Sequence, residues 1–199
     1  RVWGIYAQDD MRLGETLSLS AGLRYNHHST TGGTLNPRLG LIWKPRPVTA
    51  LKLLYGSAYR PPNAYESSYI TNSAGGTKVG PVPLKAETIR STEFVLEHAP
   101  APGQRLLWTI FRNQVDDLII TRLFDAAKGF YVFENVDRAR LQGLEASGTL
   151  KVGAGWSASG SYQYLDARDG LDQRLEKRPR HTLGLRVEWA AGPWRAGLR

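Results

Sequence analysis

The residues of this 199-residue chain best suited to chemistry are four histidines and two acidic pairs, and there is no cysteine. His27 and His28 are adjacent, so one of them can contact a metal-bearing ligand. Successive side chains of an extended chain point apart, however, which is poor geometry for chelation by both. His98 and His181 are solitary and read as ordinary interface residues near strand ends. Asp9-Asp10 and Asp116-Asp117 are side-by-side pairs whose carboxylates face opposite ways on a strand, so neither makes a two-carboxylate site. No Gly-x-Ser-x-Gly elbow occurs in the sequence, which leaves a hydrolase without its exposed nucleophile. Without cysteine there is no disulfide framework and no thiolate metal site. The expectation is a protein that is not an enzyme, with no metal centre and no cofactor.

The elements that must position these residues are strands. From Thr16 to Asn26, Leu17, Leu19, Ala21, Leu23 and Tyr25 alternate without a break with polar residues and glycine. A strand separates such a pattern into one apolar and one polar face, whereas a helix scatters it. The pattern recurs from Arg180 to Trp189, and from Trp156 to Asp166 with Leu165 as an exception. It is weaker at Trp3, Ile5 and Ala7, at Leu39, Leu41 and Trp43 with Ile42 out of place, and at Leu51, Leu53, Tyr55 and Tyr59. Between Val132 and Val152 it is legible only after Gly143, which suggests a bulge upstream. The content of 21 Gly, 9 Tyr and 6 Trp fits many turns and pleated surfaces better than a helical bundle. The formal charge of +8 is dispersed, with Arg24, Lys52 and Arg186 each alone in an apolar alternation, so it predicts a polar sheet face and not a nucleic-acid partner.

No run of about 18 apolar residues is present, so no transmembrane helix is expected. A membrane β-barrel has the same property, because only every second residue meets lipid. The connections favour that reading. Short links at Leu13 to Glu15, Pro45 to Thr49, Ala99 to Gln104, Gly153 to Gly155 and Ala191 to Pro193 take turns with longer ones. The longer loops are His27 to Asn36, Pro61 to Glu87, Ile120 to Tyr131 and Ala167 to Pro179. Outer-membrane barrels have short periplasmic turns and long extracellular loops. On that orientation Trp43, Trp108, Trp156, Trp189 and Trp194 fall near the short turns, and Trp3, Tyr25, Tyr59, Tyr162 and Tyr164 toward the other ends. Two aromatic girdles are implied. The chain starts at Arg1-Val2-Trp3 without an initiator Met or a signal core and ends at Gly197-Leu198-Arg199, so both ends are expected to fall inside strands of a larger domain.

Several segments resemble the TonB-dependent outer-membrane receptors. Tyr59-Arg60-Pro61-Pro62-Asn63-Ala64-Tyr65-Glu66 is similar to the family's aromatic-Arg-Ala-Pro segment, with Pro61 in place of Ala. Leu84-Lys85-Ala86-Glu87, leading to Glu93, is similar to its Leu-Lys-Pro-Glu segment, with Ala86 in place of Pro. Phe111 to Ile119, Asn135 to Glu145, Tyr162 to Arg168 and Arg178-Pro179-Arg180-His181 follow in the family's order. The resemblance implies an all-β fold: an antiparallel transmembrane β-barrel, with residues 1–199 supplying about ten strands of a larger one of about 22. The plug domain and the closing strands are expected to lie outside the chain.

The resemblance further implies a ligand-gated importer of a scarce nutrient, an iron-siderophore or cobalamin, in the bacterial outer membrane. Its implied partners are outer-membrane lipid, the plug domain, a small metal-chelate or corrin ligand, and the TonB-ExbB-ExbD complex through the N-terminal region. Ligand contacts are expected from Arg60, Tyr65 and Tyr69, with His27 and His28 as further candidates. Arg24, Lys52, Glu93, Glu97, Glu145, Arg186 and Glu188 are expected to face the lumen and the plug, or to pair across strands. A passive porin or structural barrel is the alternative, and a soluble β-sandwich binding module the third.

Overall fold

The computed structural model describes residues 1–72, 77–79, 83–125, 130–175 and 177–198, with side chains described for all of these except 68–72, 77–79, 122–125, 130–131 and 137. The alternating stretches form β1 (Val2–Arg12), β2 (Leu17–His28), β3 (Gly32–Arg46) and β4 (Thr49–Arg60). A short helix, α1 (Ala64–Ser68), and two small strands, β5 (Tyr69–Asn72) and β6 (Thr77–Val79), come next. They are followed by β7 (Glu87–His98), β8 (Arg105–Asp125), β9 (Phe130–Val152), β10 (Trp156–Asp169), β11 (His181–Ala191) and β12 (Trp194–Leu198). β1–β4 and β7–β12 make one path of ten strands, each hydrogen-bonded to its sequence neighbours. All the pairings are antiparallel, as hairpin connections require. β5 pairs with β6 and meets β9 at Thr71 and Asn72.

Side chains directly opposite one another in a ladder share a face. One row runs Leu17, Trp43, Leu51, Leu96, Trp108, Ala146, Tyr162 and Leu183 from β2 to β11. It begins beside the turn before β2 and ends well along β10 and β11, so the strands are staggered, as tilted strands in a barrel wall must be. Within the row every residue is apolar. The face it belongs to is uncovered: Ile5, Ile110, Leu183 and Leu185 are each more than 60% exposed. The buried apolar residues, Val95, Ile119, Ala139 and Ala167, all lie on the opposite, polar face. A water-soluble sheet does the reverse, since burying its apolar face is what drives it to fold.

Three expectations are corrected. His27 to Asn36 is not a long loop, because β2 and β3 stay paired to His28 and Gly32. Ile120 to Tyr131 is likewise mostly strand, with β8 running to Asp125 and β9 starting at Phe130. Backbone pairing needs no apolar side chains, so polar residues extend the ladder past the apolar stretch. The third correction concerns the bulge upstream of Gly143. β9 keeps one register with β10 from Ala139 to Val152; the irregularities in the sheet fall between Trp43 and Arg46 and between Leu123 and Asp125. What changes near Gly143 is the polarity of the faces. Below it Leu144, Ala146, Leu150 and Val152 share the apolar face, and above it Gln142, Arg140 and Arg138 continue that face while Leu141 and Ala139 take the other. Gly143 itself allows close approach, since a Cβ there would lie 1.9 Å from the Tyr164 carbonyl oxygen.

The β9–β10 link shows why the short turns are tight. Ala154 (φ 56°) and Gly155 (φ 83°) are both left-handed within the three-residue link between the paired Val152 and Trp156, a twist-compatible reversal closed by Trp156 N donating to the Gly153 carbonyl at 3.4 Å. A Cβ on Gly155 would meet the Ala190 carbonyl oxygen at 2.0 Å.

Candidate functional site

The ten residues expected in girdles all project from the apolar face. They are Trp3, Tyr25, Trp43, Tyr59 and Trp108, then Trp156, Tyr162, Tyr164, Trp189 and Trp194. Toward the short turns Trp156 and Trp189 lie with ring centroids 6.3 Å apart. Toward the long loops Trp3 lies 5.4 Å from Tyr25, and the Tyr162 hydroxyl is 2.8 Å from His181 Nδ1. Rings with a polar tip at both ends of an apolar band suit the two interfaces of a membrane.

The seven charged residues expected in the lumen all lie on the opposite face. Lys52 Nζ donates to Glu97 Oε2 at 2.7 Å, and Arg105 binds the other oxygen of Glu97. Glu145 accepts from Gln163 Nε2 at 2.6 Å, Arg186 pairs with Glu188 at 2.6 Å, and Arg24 Nε donates to the buried Asn26 at 2.8 Å. Glu93 stands opposite Leu54 and Phe111 on this face. Six of the seven are thus engaged with a neighbouring strand or a neighbour along their own strand, and the face stays polar without leaving a concentrated charge.

The long-loop edge is built around Arg60, the last residue of β4. Its Nη1 donates to both carboxylate oxygens of Glu66 at 2.9 Å, and its Nη2 reaches Glu87 at 2.9 Å. Glu66 is positioned by a reciprocal capping arrangement. The Asn63 side chain accepts from Glu66 N and the Glu66 carboxylate from Asn63 N, both at 2.8 Å, which starts α1. Glu87 also accepts from Ile119 N at 2.8 Å, so one guanidinium ties β4, α1, β7 and β8 together. Burial pushes the Glu87 carboxyl up, but the hydrogen bonds from Arg60 and Ile119 outweigh it and hold it below the usual range; Arg60 is raised, chiefly by Glu87. A second tie is the Asn135 side chain. It accepts from Lys85 N at 2.8 Å and donates to the Lys85 carbonyl at 3.1 Å and the Asp117 carbonyl at 2.6 Å, where Asp117 has left-handed backbone (φ 55°).

The other expected ligand contacts are spread around this edge. Tyr65, on α1, is half-exposed and edge-on to Phe133 at 5.7 Å. Tyr69 begins β5, and its side chain lies outside the described residues. His27, a candidate ligand contact, stacks on Trp3 on the apolar face at 5.5 Å, turned away from the polar side on which His28 lies. His28 falls on the polar face, with Nδ1 2.7 Å from Thr30 Oγ1. Among the described residues no group of three metal-ligating side chains is assembled. Sequence reasoning did not single out Glu66, Glu87 and Asn135. The Asn63-x-x-Glu66 spacing is a signal for the first; the other two depend on pairings remote in sequence.

Comparison with known proteins decides what carries this wall. A family model described as TonB dependent receptor-like, beta-barrel, matches residues 1–199. The chain belongs to the TonB-dependent receptor β-barrel family. It is 29% identical to the ferric enterobactin receptor of Pseudomonas aeruginosa, over 96% of this chain and 29% of that protein. It is 27% identical to the ferrienterobactin receptor of Escherichia coli, over 96% and 28%. The vitamin B12 transporter of Photobacterium profundum is 33% identical, but over 56% of this chain and 18% of that protein. Among solved structures, a mutant of the P. aeruginosa ferric enterobactin receptor in complex with enterobactin superposes with a TM-score of 0.82, at 27% identity, over 96% of this chain and 31% of that one. The chain spans about three tenths of the length of the first two relatives. TonB-dependent receptors are transporters and not enzymes, and the membership places the sheet in the bacterial outer membrane, with its apolar face to lipid.

Proposed function

We propose that the whole protein is a gated importer of a ferric siderophore, energised through the TonB system, and that this chain is ten strands of its wall. The observation that carries the reading is the pairing of a lipid face with a polar inner face under a braced long-loop rim, in a chain matched over 96% of its length by two receptors for ferric enterobactin. A corrin ligand is less favoured because the cobalamin-transporter match covers 56% of the chain. In this reading the short turns are periplasmic and the long loops extracellular, and the plug packs on the inner charges. No bond is made or broken: Tyr65, Tyr69 and His28 touch the chelate at the rim, while Arg60 holds the loop that presents the two tyrosines. Growth of iron-starved cells lacking other siderophore receptors tests it. The whole protein should restore growth on ferric enterobactin only when TonB is present. TonB-independent passage of unrelated small solutes would instead make it a passive pore.

A further inference from the structure

We propose that the outward side of β7–β10 carries, just past its apolar band, a binding site for the phosphorylated headgroup of an outer-leaflet lipid; the proposal rests on the outer-membrane reading of the sheet. On each of these strands the last apolar residues of the lipid face are followed by arginine. Ile110 is followed by Arg112, Phe94 by Thr92 and Arg90, Leu144 by Gln142 and Arg140, and Tyr164 by Asp166 and Arg168. Consecutive positions on one face lie about 6.6 Å apart, so the guanidinium groups begin where the hydrocarbon ends. The neighbouring strands reach the same edge differently: β2 with His27, β3 with Leu35 and β4 with Tyr59. The feature is therefore local and not a general solvated rim.

Register arranges the arginines around one point. Arg90, Gln114 and Arg140 form a row across β7, β8 and β9, and Arg112 lies one step nearer the lipid, on β8 beneath Gln114. Arg112 is thus diagonal to both Arg90 and Arg140, at about 7–8 Å between positions, a spacing that three long side chains can close around a phosphate. Among the described residues, the acids on this face are engaged. Asp116 holds Arg90 and Arg138, Asp172 holds Arg140 and Arg168, and Asp166 holds Arg168. Against these three aspartates stand five arginines. Arg112, exposed and closest to the apolar band, has no ion-pair or hydrogen-bond partner among the described residues. A planar guanidinium left free at a membrane interface matches a phosphate ester in geometry and charge, and the adjacent apolar face accommodates the acyl chains.

Native mass spectrometry of the whole receptor in detergent tests the site, with bis-phosphorylated lipid A, its dephosphorylated form and inorganic phosphate as probes. Affinity for the phosphorylated lipid should fall about fivefold in Arg112→Gln and on the order of twentyfold in Arg112→Gln with Arg140→Gln. Lys44→Gln with Arg46→Gln removes the same charge from the opposite edge and should change nothing. The dephosphorylated lipid should bind weakly to every variant. Inorganic phosphate at matched concentration should not displace the lipid. Arg112→Gln, whose side chain has no ion-pair or hydrogen-bond partner to lose among the described residues, keeps the test open if the double variant misfolds, as judged by heat-modifiable gel mobility. Unchanged lipid binding in folded Arg112→Gln, equal binding of the dephosphorylated lipid, or displacement by inorganic phosphate overturns the proposal. Siderophore uptake measured on the same variants is a separate readout, so a receptor that imports without lipid selectivity refutes the site alone.

Discussion

The two halves of β7–β10 use the same pleat in opposite ways. Nearer the short turns, the outward positions Leu96, Trp108, Ala146 and Ala158 are apolar or aromatic, while the inward positions Glu97, Thr109, Glu145 and Ser159 are polar. Nearer the long loops, Arg90, Gln114, Arg140 and Arg168 point outward, and Ile89, Val115, Ala139 and Ala167 point inward. β8 and β9 are 21 and 23 residues long, whereas a tilted strand crosses a membrane in about 9–11. The extra length stands above the bilayer, where the outside is water and the inside of the sheet becomes the drier place. Alternation therefore records which medium each face meets at each height, and the fold persists through its inversion.

The sharpest way to break this comparison is to place one charge on the same face in both halves. Leu53→Arg puts a guanidinium on the outward face between Leu41 and Phe94, inside the apolar band, and should cost about 2–4 kcal/mol. Gln142→Arg puts it on the same face above the band, where a surface change should stay within about 0.5 kcal/mol. Denaturant unfolding of the whole barrel refolded into liposomes measures both. Equal costs would mean that lipid does not end near Leu144. At the boundary itself, Gly143→Ala brings a methyl against the Tyr164 carbonyl and should destabilise by about 1–3 kcal/mol, whereas the open Gly14→Ala should be neutral or stabilise by a few tenths of a kcal/mol.

The rim should respond locally where the membrane band responds globally. Arg60→Ala leaves Glu66 and Glu87, both with largely buried carboxylates, without their shared cation. The expected loss is about 2 kcal/mol, read as faster amide exchange at residues 61–67 and 83–87 with little change in the midpoint of global unfolding. Arg60→Lys should recover part of it, since an ammonium cannot reproduce both forks.

Where each face keeps one medium along its length, the residues are readable directly. Thr16 to Asn26 is such a stretch, and the structure pairs it from Leu17 onward. β8 and β9 were harder because the medium changes partway: the reversal at Gln142 and Gly143 mimics a bulge when faces are judged by polarity alone. Polar ladder extensions such as His28 opposite Gly32 look like loop for the same reason. At the rim, Arg60 was visible by its residue type and segment, but its partnership with Glu87 spans 27 positions and that of Asn135 with Lys85 spans 50. Such contacts follow from register, which no local pattern carries.

Acid supplies the gentlest version of the rim experiment. Glu87 is held below the ordinary carboxylate range by Arg60 and Ile119 N against the opposing effect of burial. A group depressed in the folded state contributes stability that is fully present above its unfolded value of about 4.3 and is lost as pH falls through its folded value. Between pH 8 and 6 the exchange rates of residues 83–87, corrected for intrinsic pH dependence, should therefore stay constant. Below about pH 4 they should rise, while the membrane band stays protected because its lipid face carries few titratable groups. The rise should be smaller than in Arg60→Ala, because protonating Glu87 leaves Arg60 on both oxygens of Glu66. In Glu87→Gln the acid-dependent step at residues 83–87 should be largely absent; a step of undiminished size there would assign the rim's pH response to another carboxylate.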